Sequence, residues 1–337
     1  MKFGIDLGGS HVAIGLVDEN SEIIEKRTYY MNDRKNVSLE DYIVRSIVHG
    51  VNEILQNTKY NLCQIESIGI ATPGNPKDGY IKNVVNLGIK EFNITQKLRE
   101  AFGSKDLKIN LQNDGKCAAL AEKYKGSLKE YNDCAFLCIG TGIGGAAFFG
   151  GKFVKPIRNA GFEFGHMVIN KNGEQCNCGN KGCFEAYCSK KKFKEQMQKI
   201  LGITEYVGAT DLTKAIEENM ENSEVKSLLE DYVDNLALGI ANIINILEPE
   251  AISIGGSMSH YEKLIFSRLR EKINNGEYLF NKENPPKILS AQAGNDAGII
   301  GATLIGWKRI LTKIKILLQR GYIHKVWALV KIWLFSN

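Results

Sequence analysis

No apolar run in this chain reaches the roughly eighteen residues that a membrane-spanning helix needs. The nearest, Val326 to Phe335, is short and broken by Lys331. The first residues, Met1-Lys2-Phe3-Gly4-Ile5-Asp6, carry no charged-then-apolar export signal. With no such signal, eight cysteines in 337 residues indicate free thiols in a reducing cytoplasm rather than a disulfide framework. A Walker phosphate loop, Gly-x-x-x-x-Gly-Lys-Ser/Thr, is missing throughout. Acidic residues are missing from Ala297 onward, where seven Lys or Arg stand. The formal charge of +5 therefore leaves −2 for the remainder, which excludes a basic nucleic-acid-binding body.

What is present suits a globular protein. The chain is 44% apolar and 24% charged, and its length predicts two domains.

The stretch from Gly161 to Glu185 is the most informative. It holds Glu163, a Gly165-His166 pair, Cys176, Cys178 and Cys183, then Glu185. Three cysteines within eight residues and a histidine ten residues upstream form a tetrahedral ligand set for Zn(II). The Cys-x-Cys-Gly-x-x-Gly-Cys loop is too short and Gly-rich for a helix or strand, and a metal ion would pin it. Thiols packed as small apolar groups, or a disulfide, are the alternatives. Folding the loop around the metal brings Glu163 and Glu185 near His166. Two carboxylates and an imidazole there accept hydrogen bonds from a polyhydroxylated ligand, though glutamates are more commonly plain surface residues.

Phe3 to Leu7, Val12 to Val17 and Ile23 to Tyr30 read as strands, with Gly8-Gly9-Ser10-His11 as the first turn. Glycines there let backbone amides approach a phosphate, and Asp6 beside them can hold Mg(II). An ordinary hairpin with a polar end explains the same residues. Ser38 caps a helix running to Gln56. Ile65 to Ile70 reads as a strand entering the turn Thr72-Pro73-Gly74, and Lys108 to Leu111 as a shorter one. Asn113-Asp114 then opens a helix, where either residue suits a cap. Helix-start amides are expected to keep Asp114 ionised. Cys134 to Ile139 is a buried strand, followed by Gly140-Thr141-Gly142-Ile143-Gly144-Gly145 and a strand from Ala146 to Phe149. The hexapeptide satisfies Gly-x-Gly-x-x-Gly, but a strand instead of a helix follows, so a dinucleotide fold is rejected. Glu224 to Leu247 has helical spacing. Ala251 to Ile254 ends in Gly255-Gly256, which either opens room for an adenosine or makes a tight strand–helix turn. Asn295-Asp296-Ala297-Gly298 begins the next helix.

Glu-x-Gly-His followed by Cys-x-Cys-Gly-x-x-Gly-Cys-x-Glu resembles the signature of the ROK family of bacterial sugar kinases and sugar-responsive repressors. The resemblance extends from Ile5 to about Leu311. The family pattern at the first turn is Asp-x-Gly-Gly-Thr-Lys; Ser10 keeps the hydroxyl here, and His11 departs from the lysine. The paired Gly-rich turns, each joining two short strands at the start of one half, resemble the actin-like ATPase architecture, a duplicated ribonuclease-H-like fold. The implied fold is α/β and two-lobed, with a zinc-binding loop. A small lobe over 1–113 takes back a C-terminal helix from about 297–312. A large lobe covers 114–296, and 313–337 is a basic, apolar extension outside the resemblance. That extension is read as a helix packed on protein, in preference to a membrane-surface helix.

The resemblance implies an ATP-dependent hexose kinase acting on a primary hydroxyl, with glucose as the first choice. Fructose, allose and N-acetylmannosamine kinases, or a sugar-sensing regulator, are the alternatives. A regulator is expected to carry an N-terminal helix-turn-helix, for which no room precedes Phe3. Asp114 is the implied catalytic base. Gly74, Asn86, Asn113, Asp114, Glu163, His166 and Glu185 are the implied sugar contacts. MgATP is implied to bind Asp6, Gly8, Gly9, Ser10 and His11 in one lobe, and Thr141, Gly142, Gly144, Gly255 and Gly256 in the other. Zinc on His166, Cys176, Cys178 and Cys183 is expected to be structural, and the protein a homodimer.

Overall fold

A computed structural model describes residues 1–84, 87–156 and 161–305. Asn86 and the 313–337 extension, with the end of the helix expected to reach 312, lie outside them.

The first half lays β1 (Lys2–Leu7), β2 (His11–Val17) and β3 (Ile23–Tyr30) as an antiparallel meander. Helix α1 (Leu39–Thr58) follows, its first turn capped by the Ser38 hydroxyl accepting from the Asp41 amide. Its stripe of Ile43, Ile47, Val51 and Ile54 is fully buried in the core beside the sheet. Next come β4 (Ile68–Thr72), a small ribbon of β5 (Ile81–Val84) and β6 (Ile89–Phe92), α2 (Ile94–Ala101), β7 (Ile109–Asn113) and α3 (Asp114–Tyr124). β4 and β7 pair parallel to β1, giving the order β3-β2-β1-β4-β7.

The second half repeats this plan. It begins with β8 (Cys134–Ile139), β9 (Ile143–Phe149) and β10 (Lys152–Phe153). After a loop come α4 (Phe184–Cys188), α5 (Lys190–Ile200), α6 (Ala209–Glu218) and α7 (Ser223–Leu247). β11 (Ala251–Gly255), α8 (Glu262–Asn274), β12 (Lys287–Ser290) and α9 (Ala297–Thr303) complete it. The order β10-β9-β8-β11-β12 matches the first sheet strand for strand, with the same antiparallel and parallel pairings. This is the duplicated α/β architecture expected above.

Helix α9 crosses back onto the first sheet and onto α3. A Cβ on Gly69 of β4 would lie 1.9 Å from the Ala302 carbonyl oxygen, and one on Gly301 1.8 Å from that of Cys117. Only glycine permits those approaches, so α3 and the first sheet are locked to α9 by backbone contact.

Two expectations shift. β4 starts at Ile68, not Ile65, because Leu62–Gln64 form a short turn held by the Gln64 side chain accepting from the Asn61 amide. Pairing of Ile68 with Phe3 and Ile109 then sets the strand. β9 starts at Ile143, not Ala146: Gly144 and Gly145 pair with Cys138 and Leu137 inside the sheet. Gly145 takes no side chain because the Phe164 ring lies over it, 2.3 Å from where a Cβ would stand.

Candidate active site between the two halves

Asp6 lies near the end of β1 and Asp114 begins α3 directly after β7, so two strand ends of the first sheet bring two carboxylates close enough for the charge of Asp114 to act on Asp6. Burial raises the Asp6 pKa to about 6; the negative charges of Asp114 and Asp296 push the same way, and His11 opposes them. On one side the Asp6 carboxyl rests on α9, where a Cβ at Gly298 would stand 2.5 Å from its Cγ.

Two opposing effects act on the Asp114 carboxyl. The Gly115 amide does donate to its Oδ1 at 2.8 Å, which favours the anion. Crowding by protein acts the other way and raises its pKa above the ordinary carboxylate value, outweighing that bond. The carboxylate is accessible from the cleft but crowded by protein elsewhere. The two thiols that feel both carboxylates are held protonated: Cys138 is pushed up to about 12, chiefly by burial, and Cys117 rises for the same reason.

The cap of α3 is Asn113. Its Oδ1 accepts from the Lys116 amide at 3.3 Å, and its Nδ2 donates to the Gly74 carbonyl at 3.2 Å. The turn after β4, with Gly74 at φ +80°, is thereby tied to the start of α3. At the first Gly-rich turn, the Gly8 amide donates to the His11 carbonyl at 2.9 Å and Ser10 Oγ lies 3.2 Å from His11 Nδ1. Gly9 and Ser10 are exposed, so their backbone faces solvent.

The second turn is shorter than the hexapeptide suggests. Gly140 donates to the Gly142 carbonyl at 2.8 Å, leaving Thr141 exposed at the tip. Gly144 lies in β9, away from the tip. The Ile143 amide donates to Glu185 Oε2 at 2.8 Å, and a Cβ on Gly142 would lie 2.4 Å from that oxygen. Gly256, at φ +79°, lies against Ile139, where a Cβ would meet the carbonyl oxygen at 2.6 Å. A Cβ on Gly140 would stand 3.7 Å from Ser257 Oγ, so this turn and the one after β11 share a corner.

His166, Cys176, Cys178 and Cys183 converge, each ligand atom within 4.8 Å of the others. Cys178 Sγ and Cys183 Sγ are 3.6 Å apart, and Cys176 Sγ and His166 Nδ1 are 3.9 Å apart. Sulfur ligands on tetrahedral zinc, with bonds of about 2.3 Å, stand about 3.8 Å from one another. A disulfide needs about 2.05 Å, so these sulfurs are not bonded to one another. The loop is pinned by the Cys176 amide donating to Asn180 at 2.8 Å and by bridges Val168–Cys183 and Gln175–Lys181. Nδ1 faces the sulfurs, which reserves Nε2 for another partner. Glu185 Oε1 is 3.9 Å from Cys176 Sγ, so this one carboxylate spans the cysteine cluster and the second Gly-rich turn.

Glu163 stands just before the short turn Phe164–His166. Its Oε1 lies 3.4 Å from Lys116 Nζ, a residue that sequence reasoning missed. The only signal in the sequence is a lysine set between Gly115 and Cys117 in the first turn of an alanine-rich helix, which does not say where its partner lies. Among the expected site residues, the structure thus brings together Asp6 with Asp114, Asn113 with Gly74, and Glu185 with both His166's cluster and Gly142.

Two matching halves with the same strand order and pairings, each opening on a Gly-rich turn, define a duplicated, actin-like α/β fold. The chain belongs to the ROK family, whose profile matches residues 2–309. It is 29% identical over 324 residues to a glucokinase of Thermotoga maritima, covering 91% of this chain and 97% of that one. It is 24% identical over 315 residues to a xylose repressor of Bacillus spizizenii, covering 93% of this chain and 79% of the repressor. Among solved structures, the ROK hexokinase of Thermus thermophilus superposes with a TM-score of 0.73 at 25% identity, covering 90% and 96% of the two chains. No described helix is long and apolar enough to cross a membrane.

Proposed function

We infer that this protein is an ATP-dependent hexose kinase that phosphorylates a primary hydroxyl, glucose being the first substrate to test. The observation that carries the reading is the pair Asp6 and Asp114, two carboxylates close enough for one charge to act on the other, in a chain whose two matching halves each begin with a Gly-rich turn between strands. Phosphoryl transfer asks for positioning and charge neutralisation more than for covalent chemistry, and these are the parts it uses. The sugar lies against Asn113, Asp114, Glu163, His166 and Glu185, with Gly74 and Asn86 along the cleft. The Asp114 carboxylate takes the proton of the hydroxyl as its oxygen bonds the γ-phosphorus and the bond to ADP breaks. Gly8, Gly9, Ser10 and His11 take the phosphates from one side; Thr141, Gly142 and Gly144 take them from the other, and Gly255 and Gly256 take the adenosine. A bound Mg(II), held near Asp6, supplies charge neutralisation on the phosphates. Zinc on His166, Cys176, Cys178 and Cys183 is structural, since four protein ligands leave no open position. The free cysteines suit a cytoplasmic protein, and the family suggests a homodimer.

The raised Asp6 pKa sets a direction for pH. The ionised form holds a cation, so apparent Mg(II) affinity rises as pH climbs through about 6 and levels off above it. Because Asp114's charge contributes to that elevation, Asp114→Asn moves the midpoint downward. Mg(II) titration by calorimetry in the presence of a non-hydrolysable ATP analogue, across that range, reads both shifts. A flat profile removes Asp6 from the metal's neighbourhood.

A second reading, a sugar-sensing regulator without turnover, is favoured by the match to the xylose repressor. An ADP-release assay with MgATP against glucose, fructose, allose and N-acetylmannosamine separates the two. Turnover of a hexose supports the kinase. Sugar binding with no ADP release on any of them establishes the regulator.

A further inference from the structure

We propose that Lys116, through its ion pair with Glu163, determines which charge class of sugar the cleft accepts, reserving it for uncharged hexoses against cationic hexosamines. This rests on the kinase reading of the same site. The Lys116 side chain is 6% exposed and Glu163 45%, so the ammonium comes from the protein interior and meets the carboxylate at the cleft. A lysine is costly to bury unless paired, and Glu163 is an ionic partner that meets that requirement. Lys116 lies two residues beyond Asp114 in α3, while Glu163 lies in the loop that leads to His166. The pair therefore bolts the helix of the base to the loop of the sugar contacts across 47 residues of chain.

Its electrostatic consequence follows from counting charges. Asp114, Glu163 and Glu185 bring three carboxylates to the sugar site. Unrelieved, such a cluster would draw in the ammonium of a 2-amino sugar, because an opposite charge within a few ångströms in a partly dehydrated cleft is strongly favourable. Lys116 cancels the charge of Glu163, so the pull on a cationic sugar is weaker than three free carboxylates would exert, and its ammonium repels a cation placed directly against Glu163. A neutral hydroxyl at the same position meets neither penalty, since it only donates a hydrogen bond to Glu163. Discrimination of this kind works by placing a repulsive element against the wrong ligand.

The test compares kcat/KM for D-glucose and D-glucosamine at about pH 6.5 and low salt, where an amine is largely protonated. The unaltered protein favours glucose. Lys116→Met, which keeps the length and burial of the side chain, shifts the ratio toward glucosamine by roughly tenfold or more. Lys116→Arg keeps the charge and holds the ratio near that of the unaltered protein. A merely structural lysine would lower both activities together, so an unchanged ratio in Lys116→Met overturns the proposal. If that variant does not fold, the unaltered protein decides. Its glucosamine-to-glucose ratio rises as pH climbs through the amine's pKa, and a flat ratio overturns the proposal. If the unaltered protein turns over no hexose, the kinase reading fails by itself. The same two sugars are then compared by calorimetric affinity, with the same expected shift and the same overturning result.

Discussion

Asp114→Asn binds hexose and MgATP and turns them over about 10²–10⁴-fold more slowly than the unaltered protein. The loss is confined to catalysis for structural reasons. Helix α3 is capped by Asn113, whose Oδ1 accepts from the Lys116 amide, so the cap survives the change. The bond from the Gly115 amide to Oδ1 also survives, because a carboxamide oxygen accepts as a carboxylate does. What disappears is the ability to take a proton while the sugar oxygen attacks. The raised pKa of Asp114 adds to the argument. A stronger base gains driving force for proton transfer, at the cost of a smaller ionised fraction in acid. The unaltered protein therefore loses activity as pH falls, and the variant's residual rate lacks that part of the acid limb. Steady-state ADP release and calorimetric sugar binding, measured on both proteins, separate chemistry from affinity. A kcat near normal takes Asp114 out of the mechanism.

The parts legible in the sequence are those fixed by neighbours in the chain. The cysteine cluster needed only local spacing, and the sulfurs and His166 Nδ1 do converge. Strand β8 falls on the expected residues because its apolar run ends at a turn, and β3 because its β-branched and aromatic ends lie between turns. The Ser38 cap needed only a hydroxyl ahead of an amphipathic stripe. The illegible parts are contacts between distant residues. Nothing near Glu185 says that its carboxylate will accept from the Ile143 amide, 42 positions away. Nothing near Glu163 names Lys116 as its partner. The upward direction of the Asp114 shift is illegible for the same reason. Helix-start amides are visible in sequence, whereas the protein that strips water from the carboxylate arrives only with the tertiary fold. β4 moved by three residues because partner strands, not its own apolar run, set its register.

Those distant contacts give the cysteine loop its functional weight. Cys183 is fully buried and caps α4, the short helix that carries Glu185. Phe184, between them, packs onto α7, where a Cβ at Gly239 would stand 2.3 Å from its ring. Anything that loosens Cys183 therefore reaches the Glu163–His166 loop through His166 and the second Gly-rich turn through Glu185 and Gly142.

Removal of zinc accordingly weakens both ligands. Cys183→Ser, or chelation of the unaltered protein, yields a metal-free protein whose sugar affinity falls about 10–100-fold, the usual scale for disturbing the shell around a metal-anchored ligand. Burial raises the Cys176 and Cys183 pKa values, while the Asn180 amide lowers that of Cys178, so a metal binding here displaces protons chiefly from Cys176 and Cys183. Affinity for zinc consequently rises with pH, and stripping is easiest in mild acid. His166 loses the bond that orients its ring, and Nε2 no longer has a fixed direction. Glu185 keeps its bond from Ile143 but loses its neighbour at Cys176 Sγ, so the second Gly-rich turn loosens and MgATP affinity falls by a smaller factor. Elemental analysis should find about one zinc per chain in the unaltered protein and none in the variant. Thermal melting should show the loss of the ion as a lower Tm that added zinc restores in the chelated protein but not in Cys183→Ser. Calorimetry on the metal-free protein then decides: sugar affinity equal to that of the zinc-loaded protein would show that the loop neither orients His166 nor supports Glu185.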